Sequence, residues 1–181
     1  IVLVLDGLAR LFLLLIGVVA FLVTWFSVRS TEAYTGRPLF YSLLLLLVAG
    51  MNGAVLAGDL FHLFVFLEGA SIASYGLVAF GTGAREVEAA FKYLVLGSLA
   101  STALLLAIGV LYASTGFLNM ANVSMAVGDG RVPGPLLHLA AALLLAGFGI
   151  KTAMMPFHAW LPDAHPSAPA SPDSRTAQRT A

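Results

Sequence analysis

An acidic residue lies in the middle of a long apolar stretch. Glu68 lies within LFHLFVFLEGASIASYGLVAF, nine residues after Asp59 and twelve before Phe80. An ionisable side chain inside a membrane-spanning helix is costly unless it is paired or hydrated, and such residues commonly mark ion or proton pathways. Helical spacing places Ser71 and Tyr75 on the same face. We predict that Glu68 handles protons with these two residues in support. The alternative is a protonated acid that hydrogen-bonds to a neighbouring helix.

A lysine and a proline interrupt the last apolar stretch, FGIKTAMMPFHAWLP. Pro156 lacks a backbone N–H and is predicted to break or kink the helix there. Broken helices at membrane depth commonly handle ions or protons. Lys151 is therefore the second predicted residue of a proton pathway, and Pro156 makes room for water beside it. His158 is included in support, although histidines near segment ends are commonly interfacial hydrogen-bonding residues. In the alternative interpretation the helix ends at Lys151, whose side chain reaches the headgroups.

Lys92 is the third candidate for the proton pathway. It follows Glu88 by four residues, in the order that favours an ion pair on one helix face. A structural ion pair and a transport role therefore both stay open. Asp59 and His62 are three residues apart at a predicted helix start, and we interpret them as a helix cap and a partner of the helix dipole.

The composition indicates that these charged residues lie in membrane helices. Hydrophobic residues make up 60% of the 181 residues, charged residues make up 10%, and the mean hydropathy is +0.95. A soluble domain is about 45–50% apolar and about 25% charged, so lipid must surround this chain. Nine basic residues balance nine acidic ones, which gives no electrostatic basis for binding nucleic acid. The sequence has no cysteine, phosphate-binding loop, nucleophile elbow or metal-ligand motif. We therefore expect no cofactor and no covalent chemistry in this segment.

Five apolar stretches are long enough to cross a membrane, because a spanning helix needs about 20 mostly apolar residues. The predicted spans are about 8–28, 39–56, 59–80, 88–114 and 135–155, the last continuing past a break to about residue 161. The predicted fold is an all-α bundle of about five transmembrane helices, with residues 1–165 as its core. Small residues spaced by four, Gly50 with Ala54 and Gly97 with Ser101, predict close packing between helices.

Basic residues in the short loops predict the orientation of the helices. The loops after the first and third spans share one side, which we call the arginine-rich side because it carries Arg29, Arg37 and Arg85. The loops of the opposite side carry only Arg131. Since cytoplasmic loops are enriched in lysine and arginine, we expect the arginine-rich side to be cytoplasmic.

The two ends of the sequence predict a truncated chain. It starts at Ile1 directly in an apolar run, with no signal-peptide pattern before it. Residues 166–181, PSAPASPDSRTAQRTA, have few large apolar side chains and are predicted to form a disordered or aberrant polar tail.

Three stretches resemble a known family. They are LFHLFVFLEGASIASYGLVAFG, EVEAAFKYLVLGSLAS and GFGIKTAMMPFHAWLPDAHPSAPAS. They are similar to the antiporter-like subunits of respiratory complex I. The same family contains the large subunits of multi-subunit cation/proton antiporters and the membrane arms of energy-converting hydrogenases. The resemblance covers the chain from Leu5 to about Ser171, and members continue beyond that point with a second helical repeat, where this chain has SPDSRTAQRTA.

The resemblance implies roles for individual residues. Glu68 would be the carboxylate of the family's fifth helix, Lys92 the lysine of the sixth, and Lys151 the lysine of the broken seventh. In the family these residues form a hydrated half-channel at mid-membrane depth. Protonation of the lysine is modulated there by the glutamate and by neighbouring subunits.

The function that follows is a proton-translocating subunit of a redox-driven complex, either an NADH–quinone oxidoreductase or a related hydrogenase complex. We expect such a subunit to lie in the inner (plasma) membrane of the cell, beside other membrane subunits, and to take no electrons itself. A subunit of a cation/proton antiporter is the first alternative. An inert membrane scaffold, in which the buried charges only pair helices, is the second.

Overall fold

The computed structural model describes residues 2–30, 36–81, 83–158, 160–162 and 164. Within these residues the chain forms helices and no named strand, which confirms the predicted all-α membrane fold. Five of the helices are long and apolar enough to cross a membrane, whereas the nine-residue α5 is not. The helices are α1 (Gly7–Ser30), α2 (Arg37–Leu56), α3 (Leu60–Val78), α4 (Ala84–Thr115), α5 (Met120–Gly128) and α6 (Gly134–Lys151), and a 3₁₀ turn, Ala79–Gly81, follows α3.

The start of α3 is capped as predicted. The Asp59 side chain accepts hydrogen bonds from the backbone N–H groups of Phe61 at 2.9 Å and His62 at 3.2 Å. These bonds satisfy donors that the first turn of a helix leaves without an intrahelical partner. His62 Nδ1 lies 3.3 Å from the same carboxylate oxygen. Asp59 therefore fixes where the helix that carries Glu68 begins.

Helix α5 lies between the fourth and fifth predicted spans, where the sequence predicts no helix. Its cap is Asn119, whose side-chain oxygen accepts from Ala121 N at 3.0 Å and from Asn122 N at 3.3 Å. Its apolar side chains Val123 and Ala126 are buried. An asparagine directly before an apolar run was the signal in the sequence for this short helix.

The break in the last helix lies at Lys151, five residues before the predicted position at Pro156. The N–H of Ala153 bonds to Ile150 O at 3.1 Å, and the N–H of Met154 bonds to Gly149 O at 2.8 Å. Ala153 has a left-handed backbone, with φ of 53°. This pattern of two bonds around a left-handed residue is a Schellman cap. It ends the helix before the missing N–H of Pro156 has any effect, and residues 161, 162 and 164 are helical again.

The helices pack in the order α2, α3, α4 and α6, and α1 contacts α2. Spans three and five thus both pack against span four. Small residues allow the close approaches: a Cβ at Gly50 would lie 2.8 Å from Ala70 Cβ, and one at Gly97 would overlap the hydroxyl of Tyr75. Gly53, which the four-residue spacing did not single out, lies against the ring of Phe66.

Contacts at both ends of the bundle agree with helices that alternate in direction. At the arginine-poor end, the segment before α1 bonds to the end of α2, from Val4 N to Leu56 O at 2.9 Å. The start of α3 bonds to the segment after α4, from Leu60 N to Leu118 O at 2.9 Å. At the other end, apolar residues of α3, α4 and the segment after α6 form one buried cluster: Val78, Ala89, Ala90, Trp160 and Ala164. The cytoplasmic location of the arginine-rich side stays a prediction, and so do the tail and the boundary at residue 165, which lie outside the described residues.

A large side chain at Gly53 is expected to separate α2 from α3. The Cβ alone would overlap the Phe66 ring, and overpacking of this kind costs about 1–3 kcal/mol. Gly53→Leu should therefore lower the thermal stability of the full-length protein in detergent and the amount found in membranes. Gly17→Leu is the matched control, since a Cβ at Gly17 in α1 has no atom within 4 Å. Equal stability of the two variants would contradict this packing.

Candidate functional site

Glu68 lies near the middle of α3. It follows the first residue of the helix, Leu60, by eight positions and precedes the last, Val78, by ten. At a rise of 1.5 Å per residue, these intervals correspond to about 12 and 15 Å along the helix. The side chain is 30% exposed. Its carboxylate lies beside the ammonium group of Lys151 on α6 and the hydroxyl of Ser101 on α4. The carboxylate is therefore far from both ends of its helix and among polar partners.

Lys151 is the last residue of α6, and its ammonium group turns into the bundle. Nζ donates to Ser71 Oγ at 2.8 Å and lies 3.6 Å from Glu68 Oε2. The Lys151 side chain is only 12% exposed. One part of the alternative interpretation is thus correct, because the helix does end at Lys151. The other part is wrong in this structure, because the lysine contacts α3 and does not extend away from the bundle.

The break in α6 occurs opposite the central part of α4. Gly147, one turn before Lys151, packs so closely on α4 that a Cβ there would lie 2.6 Å from Leu104 Cγ and 3.0 Å from Ala100 O. After the break the chain continues along α4 towards its first residues, since Trp160 packs with Ala89 and Ala90. The ammonium group is therefore placed at a helix discontinuity within the bundle.

Ser101 is a further residue of the site, and sequence reasoning recognised it only as a packing residue. Its hydroxyl donates to Glu68 Oε2, the oxygen that faces Lys151, and the residue is 8% exposed. The small-residue spacing with Gly97 correctly predicted that this face of α4 meets a neighbour. Glycine or alanine would pack equally well at this position. The hydroxyl of Ser101 was therefore the one sequence feature that indicated a polar contact.

Hydroxyl groups continue from the pair along α3. Ser71 Oγ donates to Leu67 O at 2.7 Å, which leaves its lone pairs free to accept from Lys151. Tyr75 is buried, and its hydroxyl lies against Gly97 of α4. Ser74 Oγ lies 3.1 Å from Tyr93 Oη on α4. The polar face predicted from the spacing of Glu68, Ser71 and Tyr75 thus lies inside the bundle beside the lysine.

Three predicted site residues are not brought to this pair. Lys92 Nζ forms an ion pair with Glu88 Oε1 at 2.9 Å, with side chains 49% and 65% exposed. Lys92 precedes Ser101 by nine residues on α4, which corresponds to about 14 Å of helix rise. Pro156 and His158 are exposed in the segment after the break. Their predicted roles in the pathway stay predictions.

The arrangement suits a group that gains and loses a proton. Burial disfavours the charged form of a lysine, whereas a nearby ionised carboxylate stabilises it. Glu68 and Lys151 can neutralise each other as an ion pair, and the serine hydroxyls supply hydrogen bonds to both. The distance of 3.6 Å between Nζ and Oε2 is slightly longer than a direct hydrogen bond, a separation that a small movement or a water molecule would bridge.

Comparison with known proteins identifies the family. The family described as NADH:quinone oxidoreductase/Mrp antiporter, TM, matches residues 57–173. Over 131 residues the chain is 47% identical to an NADH-quinone oxidoreductase subunit of the N type from Desulforudis audaxviator, and the match covers 72% of this chain and 26% of the relative. Over 171 residues it is 37% identical to an Na⁺/H⁺ antiporter subunit from Bacillus subtilis, and the match covers 94% of this chain and 34% of the relative.

A solved structure shows the same fold. A chain of the membrane-bound sulfane sulfur reductase, an archaeal respiratory membrane complex, superposes with a TM-score of 0.87 at 35% identity. The match covers 92% of this chain and 34% of that one. The present chain spans about a quarter to a third of the length of the two curated relatives. As the resemblance predicted, this multi-pass membrane chain belongs to the family of transmembrane subunits shared by NADH:quinone oxidoreductases and Mrp antiporters.

Proposed function

We propose that this chain is the part of a proton-translocating membrane subunit that holds one proton-carrying lysine. The observation that carries the proposal is the contact of Lys151 with Glu68 and Ser71 at the end of a helix broken inside the bundle. The complex is redox-driven and lies in the inner (plasma) membrane, and other membrane subunits pack beside this one. The 47% identity with an NADH-quinone oxidoreductase subunit supports this proposal.

The lysine works as a two-state proton carrier. While Glu68 is ionised and close, Coulomb attraction holds the ammonium form of Lys151 in a poorly hydrated place. When a movement or a neighbouring subunit withdraws that charge, burial favours the neutral amine and the proton leaves. The Ser101 hydroxyl shares Oε2 with the ammonium, so it stabilises the carboxylate when the lysine moves away.

A cation/proton antiporter subunit is the second candidate, favoured by the 37% identity with an Na⁺/H⁺ antiporter subunit over 94% of the chain. The two candidates differ in what drives the proton. The full-length protein is purified with its partner subunits and placed in sealed vesicles containing a pH-sensitive dye. We expect a change in lumenal pH on adding an electron donor and a quinone, and none on imposing a sodium gradient. The opposite pattern would establish the antiporter.

Lys92 tests how far the pathway extends. In our proposal it belongs to the route that leads to Glu68 and Lys151, although it forms an exposed ion pair with Glu88. Lys92→Met should lower proton transport by less than tenfold. An exposed ion pair contributes little to protein stability, and water molecules can occupy the place of the lost ammonium group. Transport is measured in vesicles and normalised to the amount of assembled complex. A loss as large as that caused by the same change at Lys151 would contradict this ranking.

A further inference from the structure

The indole of Trp160 connects the segment after the break in α6 to the end of that helix. Trp160 Nε1 donates to Ile150 O at 2.9 Å, the carbonyl of the residue directly before Lys151. Trp160 is 9% exposed, so this bond is shielded from solvent. The bond joins residues ten positions apart across the helix break. Trp160 thus holds the last turn of α6 from the far side of the break.

The same indole is anchored on α4. Its ring stacks on Tyr93 with centroids 4.2 Å apart and planes inclined by 9°. Tyr93 meets Tyr75 of α3 edge to face at 4.6 Å. Aromatic pairs of this kind add specific geometry to the apolar area that they bury. The position of Trp160 is therefore defined relative to α3 and α4, the two helices that carry the partners of Lys151.

A continuous set of contacts leads from Tyr93 back to the lysine. The Tyr93 hydroxyl lies 3.1 Å from Ser74 Oγ, and Ser74 donates to Ser71 O at 2.7 Å. Ser71 accepts the bond from Lys151 Nζ at 2.8 Å. Lys151 is covalently joined to Ile150, where the indole bond began. The contacts form a closed ring through α3, α4, α6 and the segment after the break, and the ring includes the ammonium group.

We infer that Trp160 is a positioning residue for Lys151. It does not touch the proton. It holds the end of α6 at a fixed place against Tyr93, so that the long lysine side chain, which has several rotatable bonds, reaches Ser71 and Glu68. A lysine at an unrestrained helix end would lose this placement, because its side-chain entropy favours many rotamers. The inference rests on the proposed proton-carrying role of the lysine. The position of the Lys151 side chain can nevertheless be measured without a proton-transport assay.

The test uses Trp160→Phe in the full-length protein within its complex. Phenylalanine keeps one aromatic ring to stack on Tyr93, and it removes the N–H donor together with the second ring of the indole. The probe is reductive methylation with formaldehyde and a hydride reductant, followed by mass spectrometry of Lys151 and Lys92. Lys92 is 49% exposed and serves as the internal reference. We expect the ratio of Lys151 to Lys92 methylation to rise about fivefold, the equilibrium effect of losing one hydrogen bond.

Trp25→Phe is the matched control, because Trp25 is 73% exposed on α1 and should leave the ratio unchanged. Tyr93→Phe keeps the stacking ring and removes the hydroxyl contact with Ser74, so it should raise the ratio as well. An unchanged ratio in Trp160→Phe, at a normal level of complex, would overturn the inference whatever happens to transport. A raised ratio with undiminished transport would support the positioning of Lys151 and count against its proton-carrying role. The two proposals thus fail separately.

Discussion

Lys151→Met in the full-length protein is expected to abolish proton transport, with a loss of about 100-fold or more, the range for removing a positioned proton-transfer group. Methionine has a similar length and is flexible, so it can fill the space beside Ser71. Glu68, left without its cation, keeps the hydrogen bond from Ser101 and stays partly exposed. Assembly should therefore be normal. Proton uptake into vesicles is measured per assembled complex.

Lys151→Arg sharpens this experiment. Arginine keeps the positive charge beside Glu68, but its guanidinium does not deprotonate in proteins. If the lysine must release a proton, the arginine variant should assemble and fail to transport, as the methionine variant does. Transport by Lys151→Arg would show that a fixed charge is sufficient. Undiminished transport by Lys151→Met would show that the lysine is only a structural anchor.

Glu68→Gln is expected to lower proton transport by about 10- to 100-fold with little effect on assembly. Glutamine fills the same volume and can accept the Ser101 bond, but it carries no charge to hold the ammonium form of Lys151. The loss should be smaller than for Lys151→Met, because the glutamate regulates the lysine and does not replace it. Vesicle assays and the amount of complex in the membrane are measured together.

Ser101→Ala is the companion of this variant. It removes one hydroxyl that donates to Glu68 Oε2 and leaves the carboxylate in place. A single hydrogen bond contributes about 1 kcal/mol, so the loss of transport should not exceed about tenfold. The scaffold interpretation makes the reverse prediction for Glu68→Gln. It requires less assembled complex with unchanged transport per complex, and that result would refute the proton-carrying role.

The membrane class and the main helices were determined by the sequence alone. Each span is recognisable because lipid offers no hydrogen-bond partners, so a crossing segment must be long, apolar and helical. The same physics singles out Glu68 and Lys151, since a charge in an apolar helix is too costly to be accidental. Asp59 was interpretable as a cap because capping depends on residues only two or three positions away.

The site itself was decided by the tertiary structure. Ser71 and Lys151 are 80 residues apart in the sequence. No local sequence pattern predicts which faces of α3 and α6 come into contact. Ser101 follows Gly97 by four residues, a spacing that indicates only helix packing. Its hydroxyl becomes a hydrogen-bond donor to Glu68 because the fold places Glu68 across the helix interface. The end of α6 was predicted from Pro156, but the left-handed turn at Ala153 ends it at Lys151. Alanine rarely adopts a left-handed backbone, so the local sequence gives no signal of this turn. The bond from Trp160 to Ile150 then joins the two sides of the break. Local propensity identifies the helices and their charges, whereas packing between distant segments determines which charges meet.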